Sequence, residues 1–257
     1  MTAPIPRDIP DLPAVPGPPP VLMPSHVPAT AVVAPIRRPL VAVFRLLTAA
    51  AAAAGVALEL LLGTLQGTPA RTLSYFGVQA TILLAAVMLL SASRAWRARR
   101  PLPPSVTGAT LLYVVISALV YHLLLAHTTP PFSMTNVTAP PERWHAQWAA
   151  LQVLHLVVPT AALLDWLLLT PAARLRLRMA APWLLYPLAY LVFYLIRAGF
   201  LPASAPGRYL YPFLDAAAHG YRSTLANALL VGLAIYALAL VLTALDHTRP
   251  TPTRRRV

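Results

Sequence analysis

The residues able to do chemistry in this chain stand inside its most apolar stretches. Glu59, Gln79, His122, His155, Arg197 and Asn227 each interrupt a run of aliphatic side chains. An ionisable group in such a place costs at least about 2.5–3.5 kcal/mol on membrane-insertion scales, so each is a candidate for function. An imidazole can act as a general base or as a step in a proton relay. Glu59 and Arg197 can pair, and Gln79 and Asn227 can hydrogen-bond between helices. The chain has no cysteine, which removes disulfides, thiolate metal sites and cysteine nucleophiles. Its histidines form no i, i+4 pair and no H-E-x-x-H run, and there is no glycine-rich phosphate loop. No metal, no cofactor and no nucleotide chemistry is therefore expected.

The elements that must position these groups follow from composition. Of 257 residues, 58% are hydrophobic and 11% charged, with a mean hydropathy of +0.66. Soluble domains run at about 45–50% apolar and about 25% charged. Too few polar residues remain to cover a water-soluble globule of this size. A soluble enzyme, a secreted disulfide scaffold and a disordered chain are excluded together. Six stretches, approximately 40–62, 73–92, 106–127, 147–169, 182–201 and 223–245, approach or exceed the 20 or so residues that cross a hydrocarbon core. Backbone polar groups in lipid must be paired within their own segment, so each is expected to be a helix. The fold class is all-α: a polytopic membrane protein with a six-helix transmembrane domain over residues 40–246. Residues 1–39, with twelve prolines, read as a disordered cytoplasmic tail, and 247–257 as a basic cytoplasmic tail.

All 20 basic residues are arginine. Fourteen lie in the two tails and the second and fourth connections, and four in the first, third and fifth. That asymmetry puts both termini in the cytoplasm and assigns the charge to topology rather than to nucleic acid. The Lys-free, Ala- and Pro-rich usage suggests a bacterial chain, hence the inner membrane. With this orientation all six helices carry a polar group within roughly 12 Å of the outer face, at about 1.5 Å per residue. The expectation is a polar pocket opening to the outer leaflet, built by Glu59, Gln79, His122, His155, Arg197 and Asn227. Tyr209, Tyr211, Asp215, His219 and Tyr221 would cap it. On the inner side Arg45 is expected to snorkel, Asp165 to meet Arg174 or Arg176, and Trp166 to sit in the interfacial belt. Pro159 and Pro187 should kink their helices.

Several stretches carry a family resemblance. They are Leu73-Ser74-Tyr75-Phe76-Gly77-Val78-Gln79, Val120-Tyr121-His122-Leu123, Leu154-His155-Leu156-Val157-Val158-Pro159, Asp165-Trp166-Leu167-Leu168, Tyr186-Pro187-Leu188-Ala189-Tyr190 and Tyr211-Pro212-Phe213-Leu214-Asp215. In this combination and order the chain resembles the bacterial six-helix "Pr-six-Pr" membrane proteins. These are distantly similar to the eukaryotic androgen-induced family of six-helix lipid hydrolases. The resemblance implies hydrolysis of fatty-acid esters within the bilayer by a threonine nucleophile and a histidine base. The histidine maps onto His155. The threonine position is Gly77, which has no hydroxyl, so Thr81 one turn deeper and Ser74 one turn shallower are the substitutes this reading offers. The leading expectation is a membrane protein that binds lipid at the outer-leaflet pocket without catalysis, with membrane lipids as partners. The ester hydrolase with His155 as base is the alternative, and a small transporter or proton relay through His122 and His155 the second, although residues 40–127 and 147–245 show no internal repeat of the kind secondary transporters carry.

Overall fold

In the computed structural model the described residues are 36–128, 132–134, 143–205 and 207–249. The tails expected over 1–39 and 247–257 lie outside them except for 36–39 and 247–249. Six helices are long and apolar enough to span a membrane: α1 Pro39–Leu65, α2 Phe76–Trp96, α3 Pro104–Leu125, α4 Trp144–Leu169, α5 Leu177–Phe200 and α6 Ala216–Thr248. No strand occurs among the described residues. The starts of α2 and α4 sit three residues to either side of those read from hydropathy alone. At α2 a one-turn helix, Pro69–Leu73, takes up Leu73 of the expected span, and Ser74 and Tyr75 join the two helices.

Small residues set the first contact. Ala42, Ala49, Ala52 and Gly55 are buried along α1, and Ala80, Leu84, Met88 and Ala92 along α2, so the two antiparallel backbones approach closely, as small residues permit within membranes. Gly67 makes their connection possible. Its φ of +71 ends α1 in a left-handed turn, with Thr68 N–H donating to the Gly63 carbonyl and Gly67 N–H to that of Thr64, the pattern that closes helix C-termini. α3 packs at the centre, with 56% of its most apolar window buried, whereas α5 and α6 bury only 22% each. The last two helices are therefore the outer wall of the bundle.

At both prolines the helix is irregular, by a π-turn ahead of Pro159 and a break ahead of Pro187, and in each case a side chain of α3 lies at the carbonyl left without its α-helical partner. Pro187 has no N–H, so the Trp183 carbonyl loses its helical partner and α5 is interrupted at Leu184. The Tyr113 hydroxyl donates to that carbonyl at 2.8 Å. Pro159 likewise deprives the His155 carbonyl of its α-helical partner, and His122 Nε2 lies 3.3 Å from it. The helix around His155 is widened to a π-turn, Val153–Val157. Two further π-turns, Tyr121–Leu125 and Asp165–Leu169, contain His122 and Asp165. All three π-turns thus carry an ionisable residue, in keeping with the association of such turns with functional positions.

The arginine-rich end corrects three expectations. Asp165 does not meet Arg174 or Arg176. It takes both forks of Arg45, Nε to Oδ1 at 2.7 Å and Nη2 to Oδ2 at 3.1 Å, so Arg45 turns inward rather than snorkelling. The carboxylate that engages the fourth connection is Asp246, whose Oδ2 accepts from the N–H groups of Arg174 and Leu175 at 2.7 and 2.8 Å. Trp166 is buried and lies beneath the Arg249 guanidinium, 4.3 Å from its ring centroid, instead of standing in an interfacial belt.

Candidate functional site

The site begins at the N-terminus of α2. Tyr75 leads into the helix in an extended conformation, and Phe76 N–H donates to the Tyr211 hydroxyl at 3.1 Å, satisfying one of the donors a helix start leaves open. Tyr211 thus caps the start of α2 rather than the polar cluster its loop was expected to cover. Burial pushes the Tyr211 phenol well up. It does the same to Tyr75, against the pull of the neighbouring Arg71, so both hydroxyls stay protonated.

Gly77, the second residue of α2, explains itself once its surroundings are placed. A Cβ there would lie 2.5 Å from Ser117 Oγ of α3 and 3.2 Å from His155 Nε2 of α4. No side chain fits without displacing Ser117. The serine oxygen and the imidazole nitrogen therefore flank the same missing methyl group, no more than the sum of those distances, 5.7 Å, apart.

His155 is fixed from both sides. It is 4% exposed, and its Nδ1 lies 3.1 Å from the Leu151 carbonyl. A carbonyl only accepts, so Nδ1 carries the proton and Nε2 presents a lone pair toward Gly77 and Ser117, an assignment made from the hydrogen bond. The Tyr121 ring stacks on the imidazole at 4.3 Å and 20°. His155 thus presents a lone pair into the gap at Gly77 but shares no hydrogen bond with Ser117, and a general-base contact requires the two to close to about 2.6–3.2 Å.

Ser117 and His155 line a cavity of about 480 Å³. Apart from them its wall is almost wholly apolar: Ile116 and Val120 of α3, Pro187, Leu188 and Leu191 of α5, and Leu229, Val231, Gly232 and Leu233 of α6 among others. The expected pocket of six polar groups is not what the structure holds. Of the six expected pocket residues and the two substitute hydroxyls, His155 alone lines this cavity, joined by Tyr211 of the expected cap and by Pro187. Gln79 bridges the Leu73 carbonyl and the Tyr186 hydroxyl at 3.1 and 3.0 Å. Asn227 donates to the Phe213 carbonyl at 2.8 Å, and Arg197 to the carbonyls of Gly207 and Arg208, both at 3.1 Å. These three tie connections to the bundle. His122 serves the His155 carbonyl. Glu59 is fully buried with neither oxygen hydrogen-bonded to a described group.

The substitute hydroxyls fare no better. Ser74 donates to its own helix at Ala70, 2.7 Å away, and Thr81 is buried one turn beyond Gly77; neither lines the cavity. The hydroxyl that does, Ser117, was missed because a lone serine in an apolar helix reads as a small packing residue. Its one sequence signal was indirect: the glycine at position 77, where the resemblance asks for a hydroxyl. Among the described residues no three His, Asp or Glu side chains converge as a metal site would require. No known family model matches the chain, nor does any curated protein or solved structure.

Proposed function

We propose that this protein is an intramembrane acyl-ester hydrolase that draws its substrate from the bilayer. The observation that carries the reading is the pair Ser117 Oγ and His155 Nε2, held around a side-chain-free Gly77 in an apolar cavity within the helix bundle. At about 30 Å³ for each water-sized group the cavity has room for about sixteen, and a methylene is of similar size. That suits one acyl chain rather than the two of a phospholipid.

In this mechanism Ser117 Oγ attacks the acyl carbonyl while its proton passes to His155 Nε2. The carbonyl oxygen gathers negative charge near the positive end of the α2 dipole, where the N–H groups of the first turn lack helical partners. Collapse breaks the ester bond, and the alcohol leaves with the proton held by His155. Water then attacks the acyl-serine, gives a proton to Nε2, and releases the fatty acid as the Ser117 hydroxyl re-forms. The arginine-rich connections favour a bacterial plasma membrane with both termini inside, so the pair would lie in the outer half of the bilayer. The resemblance to the six-helix lipid hydrolases agrees with this chemistry, with the hydroxyl moved from position 77 to the facing helix.

The test uses protein reconstituted in vesicles with a long-chain fatty-acid ester. Ser117→Ala and His155→Ala should each lower turnover by about 10³-fold or more, and a fluorophosphonate probe should label Ser117 alone. Turnover that persists in Ser117→Ala, or an unlabelled wild type without turnover, refutes the hydrolase reading and leaves lipid binding.

A further inference from the structure

The wall of the cavity is not closed on its α5 and α6 side. Leu188 of α5 and Leu229 and Leu233 of α6 line the cavity yet are 56%, 65% and 55% exposed. They look inward on the cavity and outward on the surroundings of the bundle. Leu188 lies twelve residues before the end of α5, and Leu229–Leu233 nine to thirteen after the break at Gly220 in α6. At about 1.5 Å per residue that is about 14–20 Å along either helix, a depth at which a membrane about 30 Å thick is hydrocarbon. Between these leucines stands Gly232, which also lines the cavity, and a Cβ built on it would meet nothing within 4 Å.

α5 is interrupted beside this gap, at Leu184 ahead of Pro187, which itself lines the cavity. α6 is non-helical at Gly220, φ 74 and ψ 157, twelve residues before Gly232. An opening beside the broken α5, at hydrocarbon depth and rimmed by leucines with the hydroxyl-bearing Tyr236, suits the tail of a lipid better than a water-borne molecule.

We propose that the acyl chain reaches Ser117 and His155 sideways, from the bilayer, through an opening between α5 and α6 at Gly232. The absence of a side chain at that position keeps the route clear. This rests on the cavity being an acyl site, and it adds that the ligand must be dissolved in the membrane and that position 232 governs its admission. Short esters dissolved in water are then poor substrates even where the reacting groups are intact.

Gly232→Trp should fill the opening without unfolding the helix, because the position faces open space and any residue but proline suits a helix better than glycine. Gly199→Trp is the matched control: Gly199 is also a helical glycine with nothing within 4 Å, but it does not line the cavity. Vesicles containing a diazirine-bearing long-chain fatty ester are irradiated, and labelling of the protein is read by mass spectrometry. Wild type, Gly199→Trp and Ser117→Ala should label on α5 and α6, while Gly232→Trp should lose about ten-fold or more. Equal labelling of Gly232→Trp and wild type overturns the lateral route whatever the turnover shows. Persistent turnover in Ser117→Ala overturns the hydrolase reading and leaves the route standing, since labelling needs no catalysis. The cysteine-free sequence supplies a second measurement. Gly232→Cys should react with a bilayer-dissolved maleimide, and the long-chain ester should slow that reaction several-fold. Reaction at an unchanged rate counts against occupancy of the opening.

Discussion

The contact between Gly77 and Ser117 can be tested by building the missing methyl group. In Gly77→Ala the new Cβ falls 2.5 Å from Ser117 Oγ, closer than carbon and oxygen approach without a bond, so the serine must turn or α2 and α3 must part. Overpacking of this kind costs about 1–3 kcal/mol. Alanine regains about 0.5–1 kcal/mol over glycine in a helix, which leaves a net loss of about 1–2 kcal/mol. Ser117→Gly alone should cost about 0.5 kcal/mol through helix propensity. In the double variant the clash is gone, so its loss should fall short of the summed single losses by the clash itself, about 1–3 kcal/mol, the coupling expected of residues in contact. The assay is reversible unfolding in mixed micelles, followed by far-UV circular dichroism. Losses that add to within about 0.5 kcal/mol would refute the close approach and with it the placement of Ser117 beside His155. Activity gives a sharper form of the same test. Gly77→Ser with Ser117→Gly returns a hydroxyl to the same gap from the opposite helix and should recover measurable turnover, whereas Gly77→Ala with Ser117→Gly should have none.

Two further outcomes follow from the packing. Tyr113→Phe removes the donor to the Trp183 carbonyl and should cost about 1–2 kcal/mol. On a Pro187→Ala background the restored helical N–H takes that carbonyl, so the same change should cost almost nothing; an undiminished cost in the same unfolding assay would show that the proline is not the reason for the bond. Asp165→Asn leaves the Arg45 guanidinium, only 12% exposed in its side chain, without its carboxylate and should cost about 3–5 kcal/mol. Arg45→Met combined with Asp165→Leu should unfold at higher detergent than either single variant, and strict additivity would count against the pair.

How much the sequence disclosed differs between fold and site, for physical reasons. The spans were legible because each is a local composition signal: a run of aliphatic residues has to be a helix in lipid wherever its neighbours lie. The prolines were legible too, since a missing N–H breaks a hydrogen bond within its own helix. What could not be read was which distant groups answer each other. Depth along a helix was available from counting, but facing direction was not. Gln79, Asn227 and Arg197, placed at one level by counting, turn to connections rather than to a shared void. Asp165 meets Arg45, 120 residues earlier, instead of the arginines nearby in the chain. His155 was found because a buried imidazole is conspicuous in an aliphatic run, and Ser117 was passed over because a serine there is not.

The two carbonyls abandoned by prolines, Trp183 in α5 and His155 in α4, are both attended from α3, by Tyr113 and by His122. Each proline and its α3 attendant are consequently hard to exchange one at a time. Losing the tyrosine strands a polar atom in oil, and losing the proline first removes the demand on that tyrosine's hydroxyl, leaving its ring to pack against Phe76 and Tyr186. Descendants of this chain should therefore lose such pairs in a preferred order, proline before attendant, and a laboratory lineage evolved under a folding selection should record the same sequence of events.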